Sequence, residues 1–323
     1  MKGYESSTIL CMGTVVTQLV HGKRAKKAIS LVNRALRQME AHWSFHLRSS
    51  LLSKLNLAAG VRPVKVSSDL LSMLALGKEL SVRTCGAFDI TVGPLVKEWA
   101  SCLDSGRIPA DARIQELLPL VNANDIEIDR GRRTAFLPKL GQAVDLGGIA
   151  KGYAADRALE IYRDLDIPSA VINLGGNVFA LGSKANGERW RVGIHDPVAQ
   201  QGRPVIVLEV AGKSVVTSGG YERFAVVDGK AYHHLLDPRT GYPAYTDLLS
   251  ATVVGDTSAV ADGLATALAV LGSARAADAL EEYSGFEAVL VTADKTVLVT
   301  PGLMGSAVPV SPEATVAPIS KLR

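Results

Sequence analysis

The stretch VDLGGIAKGYAAD, residues 144–156, predicts a strand that turns directly into a helix. A strand predicted at residues 142–144 leads into Asp145, and the adjacent Gly147 and Gly148 allow a turn in which no Cβ obstructs the backbone. A helical pattern begins at residue 149, and its first turn carries Lys151. Unpaired backbone N–H groups, the positive end of the helix dipole and the lysine charge together favour an anion, with phosphate as the first candidate. A glycine-rich turn with a solvated lysine would show the same sequence.

Short strands dominate the second half of the chain. Five apolar runs separated by glycines predict strands from residue 170 onward, namely AVINLGG, NVFALGS, RWRVGI, PVIVLEVAG and SVVTSGG. Asp228-Gly229 separates two β-rich runs within residues 223–236 and predicts a hairpin. A second hairpin is predicted within residues 286–300. Helices predicted at residues 149–165 and 257–271 interrupt this antiparallel series. We therefore predict an α+β fold with mixed, largely antiparallel sheets packed with helices.

The first half of the chain adds further elements to this plan. Residues 8–20 are predicted to be a strand broken at a glycine, residues 23–40 and 68–85 helices, and residues 100–120 a polar surface excursion. We predict a single domain over residues 8–302. Residues 303–323 are predicted to be a disordered tail, because the last part of the chain is rich in Pro, Ser, Ala and Val and has no periodicity.

Composition excludes several classes of protein. The 323 residues are 47% hydrophobic and 21% charged, which is typical of a soluble globular chain. The net charge is only +3 and the basic residues are scattered along the sequence, which argues against a nucleic-acid-binding surface. Three cysteines without CxxC spacing indicate neither a disulfide framework nor a zinc site. No apolar run is long enough to span a membrane. The start of the sequence lacks a signal-peptide pattern, which predicts a cytoplasmic protein, or an exported one if a leader has been removed.

Residues 257–271 place an acidic side chain on an apolar helix. At about 100° per residue, Asp262 and Thr266 share one face, and their neighbours are mostly Ala, Val and Leu. A carboxylate in such surroundings needs a partner. An Asp and a Thr hydroxyl one turn apart suit a hard cation such as Mg²⁺, which prefers oxygen ligands. A buried aspartate that is satisfied by hydrogen bonds explains the pattern equally well.

Two predicted strand ends carry further polar groups. The run YHHLLDPRTG, residues 232–241, leaves an imidazole beside a tight turn, where it can move protons at neutral pH, although one histidine could simply be packed and the other exposed. Thr217 and Ser218 offer hydroxyls beside Gly219-Gly220, which suits phosphate or ribose but equally an ordinary turn. The chain has no Walker-type GK[ST], GxGxxG or GxSxG, which argues against nucleoside triphosphatases, dinucleotide dehydrogenases and serine hydrolases.

Seven motifs occur in an order that is specific to one family. They are MGT at residues 12–14, GAFD with Thr91 and GPL at 86–95, DLGGIAKGYAAD at 145–156, INLGGNV at 172–178, VVTSGGYERF at 215–224, HHLLDPRTGYP at 233–243 and ADGLATALAVLG at 261–272. In order and in type they resemble the ApbE-like FAD:protein FMN transferases. The resemblance covers most of the chain and implies an ApbE-like, T-fold-like domain. It further implies Mg²⁺-dependent transfer of FMN from FAD to a threonine of an acceptor protein, with release of AMP.

The same resemblance implies a set of site residues. It implies metal ligation by Asp262, Thr266 and the backbone oxygen of Gly148, and it gives His234 the role of the base that deprotonates the acceptor threonine. It also implies contacts to the flavin nucleotide from Met12, Ala87, Phe88, Asp89, Asp145, Lys151 and the backbone near Leu236. His46, Thr217 and Ser218 complete the predicted set. His46 and Leu51 stand where family members often have an aromatic residue and an acid.

The sequence therefore predicts an enzyme whose partners are FAD and an acceptor protein. Two alternatives stay open. One is an FAD pyrophosphatase that gives FMN and AMP with water as the acceptor, and the other is a flavin-binding protein without turnover. Labelling of an acceptor separates the first alternative from the transferase, and release of AMP separates both enzymes from the binding protein.

Overall fold

The computed structural model describes residues 3–197, 203–220, 224–311 and 314–319. The α-helices within these ranges are α1 (Ala25–Trp43), α2 (Leu51–Leu57), α3 (Ser68–Arg83), α4 (Gly93–Asp104), α5 (Asp111–Leu117), α6 (Ala150–Asp164), α7 (Ser258–Leu271) and α8 (Ser273–Glu281). The strands are β1 (Tyr4–Cys11), β2 (Thr14–His21), β3 (Val64–Lys65), β4 (Glu127–Asp129), β5 (Thr134–Phe136), β6 (Ser169–Leu174), β7 (Asn177–Leu181), β8 (Trp190–His195), β9 (Pro204–Val210), β10 (Lys213–Gly219), β11 (Phe224–Val227), β12 (Lys230–His233), β13 (Leu248–Gly255), β14 (Glu287–Thr292), β15 (Thr296–Val299), β16 (Ala307–Pro309) and β17 (Thr315–Pro318).

A large mixed sheet organises the described part of the chain. Its nine strands follow the order β1-β2-β6-β7-β10-β13-β14-β15-β17, and every neighbouring pair is antiparallel except β15 and β17. Three smaller sheets have the orders β11-β12, β16-β9-β8 and β3-β5-β4. The predicted α+β class with mixed, largely antiparallel sheets is therefore confirmed.

The two faces of the large sheet are covered by different elements. Along β10, Val216 belongs to the core that contains α1, α6 and α7, whereas Val215 belongs to a second core built with β8 and β9. Successive residues of a strand point to opposite faces, so this alternation fixes which side chains of β10 can reach the helices. Ser214 confirms the assignment, because its hydroxyl lies 2.8 Å from that of Ser258 on α7.

The predicted hairpins and long helices are confirmed, with boundaries shifted by a few residues. The turn at Gly13 joins β1 to β2, and Asp228-Gly229 joins β11 to β12. The predicted helices at 149–165 and 257–271 are α6 and α7.

Residues 142–144 do not form the predicted strand. Ala143 makes only an isolated parallel bridge to Val92. The side chain of Asn56 occupies both backbone groups of Val144, accepting from its N–H at 2.8 Å and donating to its carbonyl oxygen at 2.9 Å. A side chain therefore takes the place that a neighbouring strand would have.

Residues 100–120 are not a surface excursion. Helix α4 continues to Asp104 and α5 follows, because Ile114 and Leu117 pack into a small third core with Leu95 and Trp99. The polar residues that suggested a loop lie on the outer faces of these helices.

The predicted disordered tail contains two strands. β16 pairs antiparallel with β9, and β17 pairs in parallel with β15 at the edge of the large sheet. Ala307 and Val316 are partly buried against the second core. Both strands depend on partners that are distant in sequence, so local periodicity does not reveal them.

Candidate active site

The candidate site lies at one end of the large sheet. β2 pairs with β6 from Val16 opposite Leu174, which puts the β1–β2 turn beside the β6–β7 turn. β10 pairs with β7 up to Val216 opposite Asn177 and then continues to Gly219. The two turns and the end of β10 therefore share one edge of the molecule.

Helices α6 and α7 cross closely beside this edge. Gly152 of α6 donates its backbone N–H to Asp262 Oδ2 of α7 at 2.8 Å. A Cβ on Gly152 would lie only 2.6 Å from the carbonyl carbon of Ser258 and 2.7 Å from Cα of Ala259, so the crossing requires glycine. Asp156, one turn further along α6, caps α7 by accepting from the N–H groups of Ser258 and Ala259 at 2.8 and 2.9 Å.

Oxygen atoms converge at this crossing. Thr266 Oγ1 lies 3.2 Å from Ser218 Oγ at the end of β10 and one turn after Asp262, whose side chain is buried. Gly148, just before α6, is so close that a Cβ would stand 3.4 Å from Thr266 Oγ1 and 2.8 Å from the ring of Phe88. The structure thus brings together the three predicted metal ligands with Ser218 and Phe88.

Two carboxylates and a lysine set the electrostatics of the site. Burial raises the pKa of Asp262, against the opposing effects of Lys151 and of the Gly152 N–H. Burial also raises the pKa of Asp145, against a 2.8 Å hydrogen bond from Gly147 and the charges of His46, Lys151 and Lys97. Lys151 acts on both carboxylates and donates to the carbonyl oxygen of Gly147 at 3.2 Å. A bound cation would offset the cost of burying these carboxylates.

The GAFD segment contributes Phe88 rather than Asp89 to the site. Asp89 is buried and its carboxylate accepts four hydrogen bonds, from Ser81 Oγ at 2.9 Å, Thr91 N–H at 2.7 Å, Thr91 Oγ1 at 2.5 Å and Ala123 N–H at 2.9 Å. Ala87 is 1% exposed. The carboxylate of Asp89 therefore holds the loop, and its contact to the flavin nucleotide stays a prediction.

The hydroxyl of Thr217 does not face the cluster, whereas Leu236 was predicted to act through its backbone and this stays a prediction. Thr217 points to the face of the sheet opposite Thr266 and lies 2.8 Å from Thr252 Oγ1, because it follows Val216 by one residue. Leu236 is buried in the third core with Trp99 and pairs with Pro243 through its backbone. Only Ser218, of the Thr217-Ser218 pair, presents its hydroxyl to the cluster.

The remaining predicted residues are Met12, His46 and His234. Met12 has a φ of 54° in the β1–β2 turn, and its N–H donates to Glu40 Oε1 at 2.7 Å. His46 is exposed and packs edge-on against Phe45. His234 is exposed just beyond β12, whereas His233 is half-buried with its ring 5.3 Å from that of Tyr245. Burial lowers the pKa of His233.

Several residues that shape the site have partners far along the chain, so the sequence patterns did not reveal them. Asn177 accepts a hydrogen bond from Ser258 Oγ at 2.8 Å, and hydrogen bonding from its side chain lowers the pKa of Asp262. Gly152, Asp156 and Asn56 position α6, α7 and the segment before Asp145. Asn177 follows two glycines and Asn56 lies in the last turn of the short helix α2, and these are weak local signals.

The described residues contain no group of three or more His, Cys, Asp or Glu that could hold a metal ion. The cluster around Thr266 therefore offers the carboxylate of Asp262, two hydroxyls and a backbone segment without a Cβ. A cation held there would need further oxygen ligands from substrate or water.

Comparison with known proteins places this arrangement in a family. The sequence profile of the ApbE family matches residues 12–290. The chain belongs to the ApbE family. An FAD:protein FMN transferase of Treponema pallidum (strain Nichols) is 35% identical over 91% of this chain and 86% of its own length, and one from Klebsiella pneumoniae (strain 342) is 34% identical over 92% of both chains.

Solved structures support the same family. The ApbE protein of Thermotoga maritima superposes with a TM-score of 0.82 at 29% identity, covering 90% of this chain and 94% of its own. The flavin transferase ApbE of Vibrio cholerae gives a TM-score of 0.81 at 25% identity, covering 94% and 99%. The predicted family is confirmed, and with it an enzyme of the flavin transferase class. None of the helices in the described ranges is long and apolar enough to cross a membrane.

Proposed function

We propose that this ApbE-family chain transfers FMN from FAD to a threonine of an acceptor protein, with Mg²⁺ as the required cation. The observation that carries the proposal is the convergence of Asp262, Thr266, Ser218 and Gly148 beside Lys151 at the start of α6. Phosphoryl transfer depends mainly on positioning and on neutralising charge, and this arrangement supplies both.

The residues of the site fit Mg²⁺. Their oxygen atoms match the preference of a hard cation, and the missing Cβ of Gly148 leaves its backbone close to Thr266. The side chain of Asn177 hydrogen-bonds to Asp262, which orients this carboxylate in the cluster. Asp262, Thr266 and the carbonyl of Gly148 would hold the ion, which supplies charge neutralisation at the diphosphate of FAD.

The protein's own residues then have separate tasks. The N-terminus of α6 and Lys151 attract the diphosphate of FAD and stabilise negative charge on it during transfer. The threonine oxygen forms a bond to the FMN phosphorus, the bond from that phosphorus to the oxygen of AMP breaks, and AMP leaves with the bonding electrons. His234 accepts the threonine proton.

The exposure of His234 favours one alternative reaction at the same site. Water can reach the position of the acceptor hydroxyl, which would make the chain an FAD pyrophosphatase. The two reactions share every step except the identity of the nucleophile. A flavin-binding protein would bind FAD without releasing AMP.

One experiment separates these functions. The purified protein is incubated with FAD, Mg²⁺ and a threonine-bearing acceptor domain, and the acceptor is then analysed by intact mass while AMP is measured by chromatography. We expect the acceptor to gain one FMN, AMP to appear in equal amount, and EDTA to stop both. AMP released at the same rate without acceptor, and no mass shift with it, would establish the pyrophosphatase instead.

A further inference from the structure

The hairpin β11–β12 exposes an apolar face next to the candidate base. Phe224 lies opposite His233, and Val226 lies opposite Ala231, so these four side chains share one face of the two-stranded sheet. Phe224 and Val226 are each 60% exposed. Tyr245, 56% exposed, extends this face, because its hydroxyl donates to the carbonyl oxygen of Ala231 at 2.7 Å and its ring packs on His233. We call Phe224, Val226 and Tyr245 the hairpin face.

The opposite side of the hairpin attaches it to the protein. Tyr232 packs against Trp99 with ring centroids 5.7 Å apart, and Val227 is buried. The hairpin is therefore anchored without any contribution from Phe224 or Val226. Three large apolar side chains that remain exposed after folding indicate a surface for a partner.

The position of the hairpin face identifies the partner. It runs along β12 to His233, and His234 follows immediately, so the face ends where the acceptor threonine must be deprotonated. That threonine arrives with flanking polypeptide, which needs a surface beside His234. Within the described residues β11 pairs with β12 alone, so its outer edge is available to an extended chain.

On the basis of the proposed function, we propose that the hairpin face is the docking surface for the acceptor protein. The occupant is an extended segment of the acceptor that lies along β11 and places apolar side chains next to its threonine on Phe224, Val226 and Tyr245. Binding of this segment fixes the threonine hydroxyl at His234 and takes no part in binding FAD.

The test compares two double variants of equal surface chemistry. Phe224→Ser/Val226→Ser removes the hairpin face, and Val61→Ser/Leu140→Ser removes two neighbouring apolar side chains that are 70% and 79% exposed elsewhere. Initial rates of FMN transfer are measured against acceptor concentration. We expect the first variant to raise KM for the acceptor about tenfold or more, with kcat and FAD affinity close to wild type. The control variant should leave KM, kcat and FAD affinity at their wild-type values.

The outcomes separate this inference from the proposed function. A wild-type protein that transfers no FMN contradicts the proposed function and the docking surface with it. Transfer by the wild type together with an unchanged KM in the hairpin variant overturns the docking surface alone. A hairpin variant that changes only self-association overturns the docking surface as well. If the double variant loses FAD binding or thermal stability, the single variant Val226→Lys is used instead, and its KM for the acceptor should rise. The conservative variant Phe224→Leu should retain the wild-type KM.

Discussion

Asp262 is the carboxylate that α7 presents to the oxygen cluster with Thr266, and burial raises its pKa. Asp262→Asn keeps the shape of the side chain and removes the charge that holds a cation. We expect FMN transfer at limiting Mg²⁺ to fall about a hundredfold or more, while thermal stability without metal stays at or above the wild-type value. Activity and melting temperature are measured across a Mg²⁺ titration. Wild-type activity at limiting Mg²⁺ would rule out the metal assignment.

His234 and His233 offer a matched pair at neighbouring positions. His234 is exposed and His233 is half-buried against Tyr245, so alanine should affect them differently. We expect His234→Ala to reduce FMN transfer about a hundredfold or more, because a positioned base contributes roughly 10²–10⁴-fold, with little change in melting temperature or FAD affinity. His233→Ala should lower the melting temperature and largely preserve transfer.

The pH profile provides a second test of the same variant. The acid limb of the wild-type rate should disappear in His234→Ala if this imidazole accepts the proton. Parallel loss of FAD binding and transfer would instead make His234 a binding residue, and His233 and Asp237 would become the next candidates for the base.

At the scale of elements, the α6–α7 crossing depends on Gly152. Alanine normally favours a helix over glycine by about 1 kcal/mol. Here the added Cβ would lie 2.6–2.7 Å from backbone atoms of α7, which cannot rotate away. We expect Gly152→Ala to lower the free energy of unfolding by about 1–3 kcal/mol and to abolish Mg²⁺ stabilisation, as measured by urea unfolding.

A second glycine supplies the control for that substitution. Gly263→Ala in α7 meets side-chain atoms instead, with the nearest at 2.6 Å on Leu80 and the next at 3.2 Å on Ile149. Those side-chain atoms can move, so the free energy of unfolding should fall less in Gly263→Ala than in Gly152→Ala. An equal fall in the free energy of unfolding for the two variants would mean that the backbone contact at the crossing is unimportant.

Asp156, which joins α6 to α7, should make the stability of the protein depend on pH. Burial is the largest cause that raises its pKa from 3.8 to about 6, despite the two capping hydrogen bonds from α7. The folded state therefore binds a proton that the unfolded state has already lost, so stability falls as pH rises from about 4 through about 6. At 1.36 kcal/mol per pKa unit, the contribution is at most about 3 kcal/mol.

Asp156→Asn should remove this contribution. Urea unfolding between pH 4 and pH 7 should show a smaller loss of stability with rising pH in the variant than in the wild type. An equal or steeper loss would show that Asp156 does not carry the effect.

At the scale of the whole molecule, the last strands close the large sheet and the second core. A chain that ends at Met304 would lack β16 and β17 and would expose the edge of β15. We expect the free energy of unfolding to fall by about 2–4 kcal/mol, because partly buried side chains such as Ala307 and Val316 lose their contacts. FAD affinity should persist, since the site residues are retained. An unchanged melting temperature would support the tail predicted from the sequence.

Local sequence patterns were enough to predict most helices and hairpins and the family. Hydrophobic periodicity is a local property, so it predicted α6 and α7, and glycine turns predicted the β1–β2 and β11–β12 hairpins. The ordered motifs predicted the family. Asp262 and Thr266 were predicted to share a face because they are one helical turn apart. The resemblance implied that Gly148, which precedes a different helix, meets them.

The neighbours of each side chain depend on tertiary contacts that the sequence patterns do not contain. Ser218 reaches Thr266 and Thr217 does not, because the alternation along β10 is set by the position of α7. The carboxylate of Asp89 accepts hydrogen bonds from Ser81 and Ala123. β17 pairs with β15. No local sequence pattern encodes these contacts. Hydrogen bonding and packing act between atoms close in space, whereas periodicity reports only on residues close in the chain.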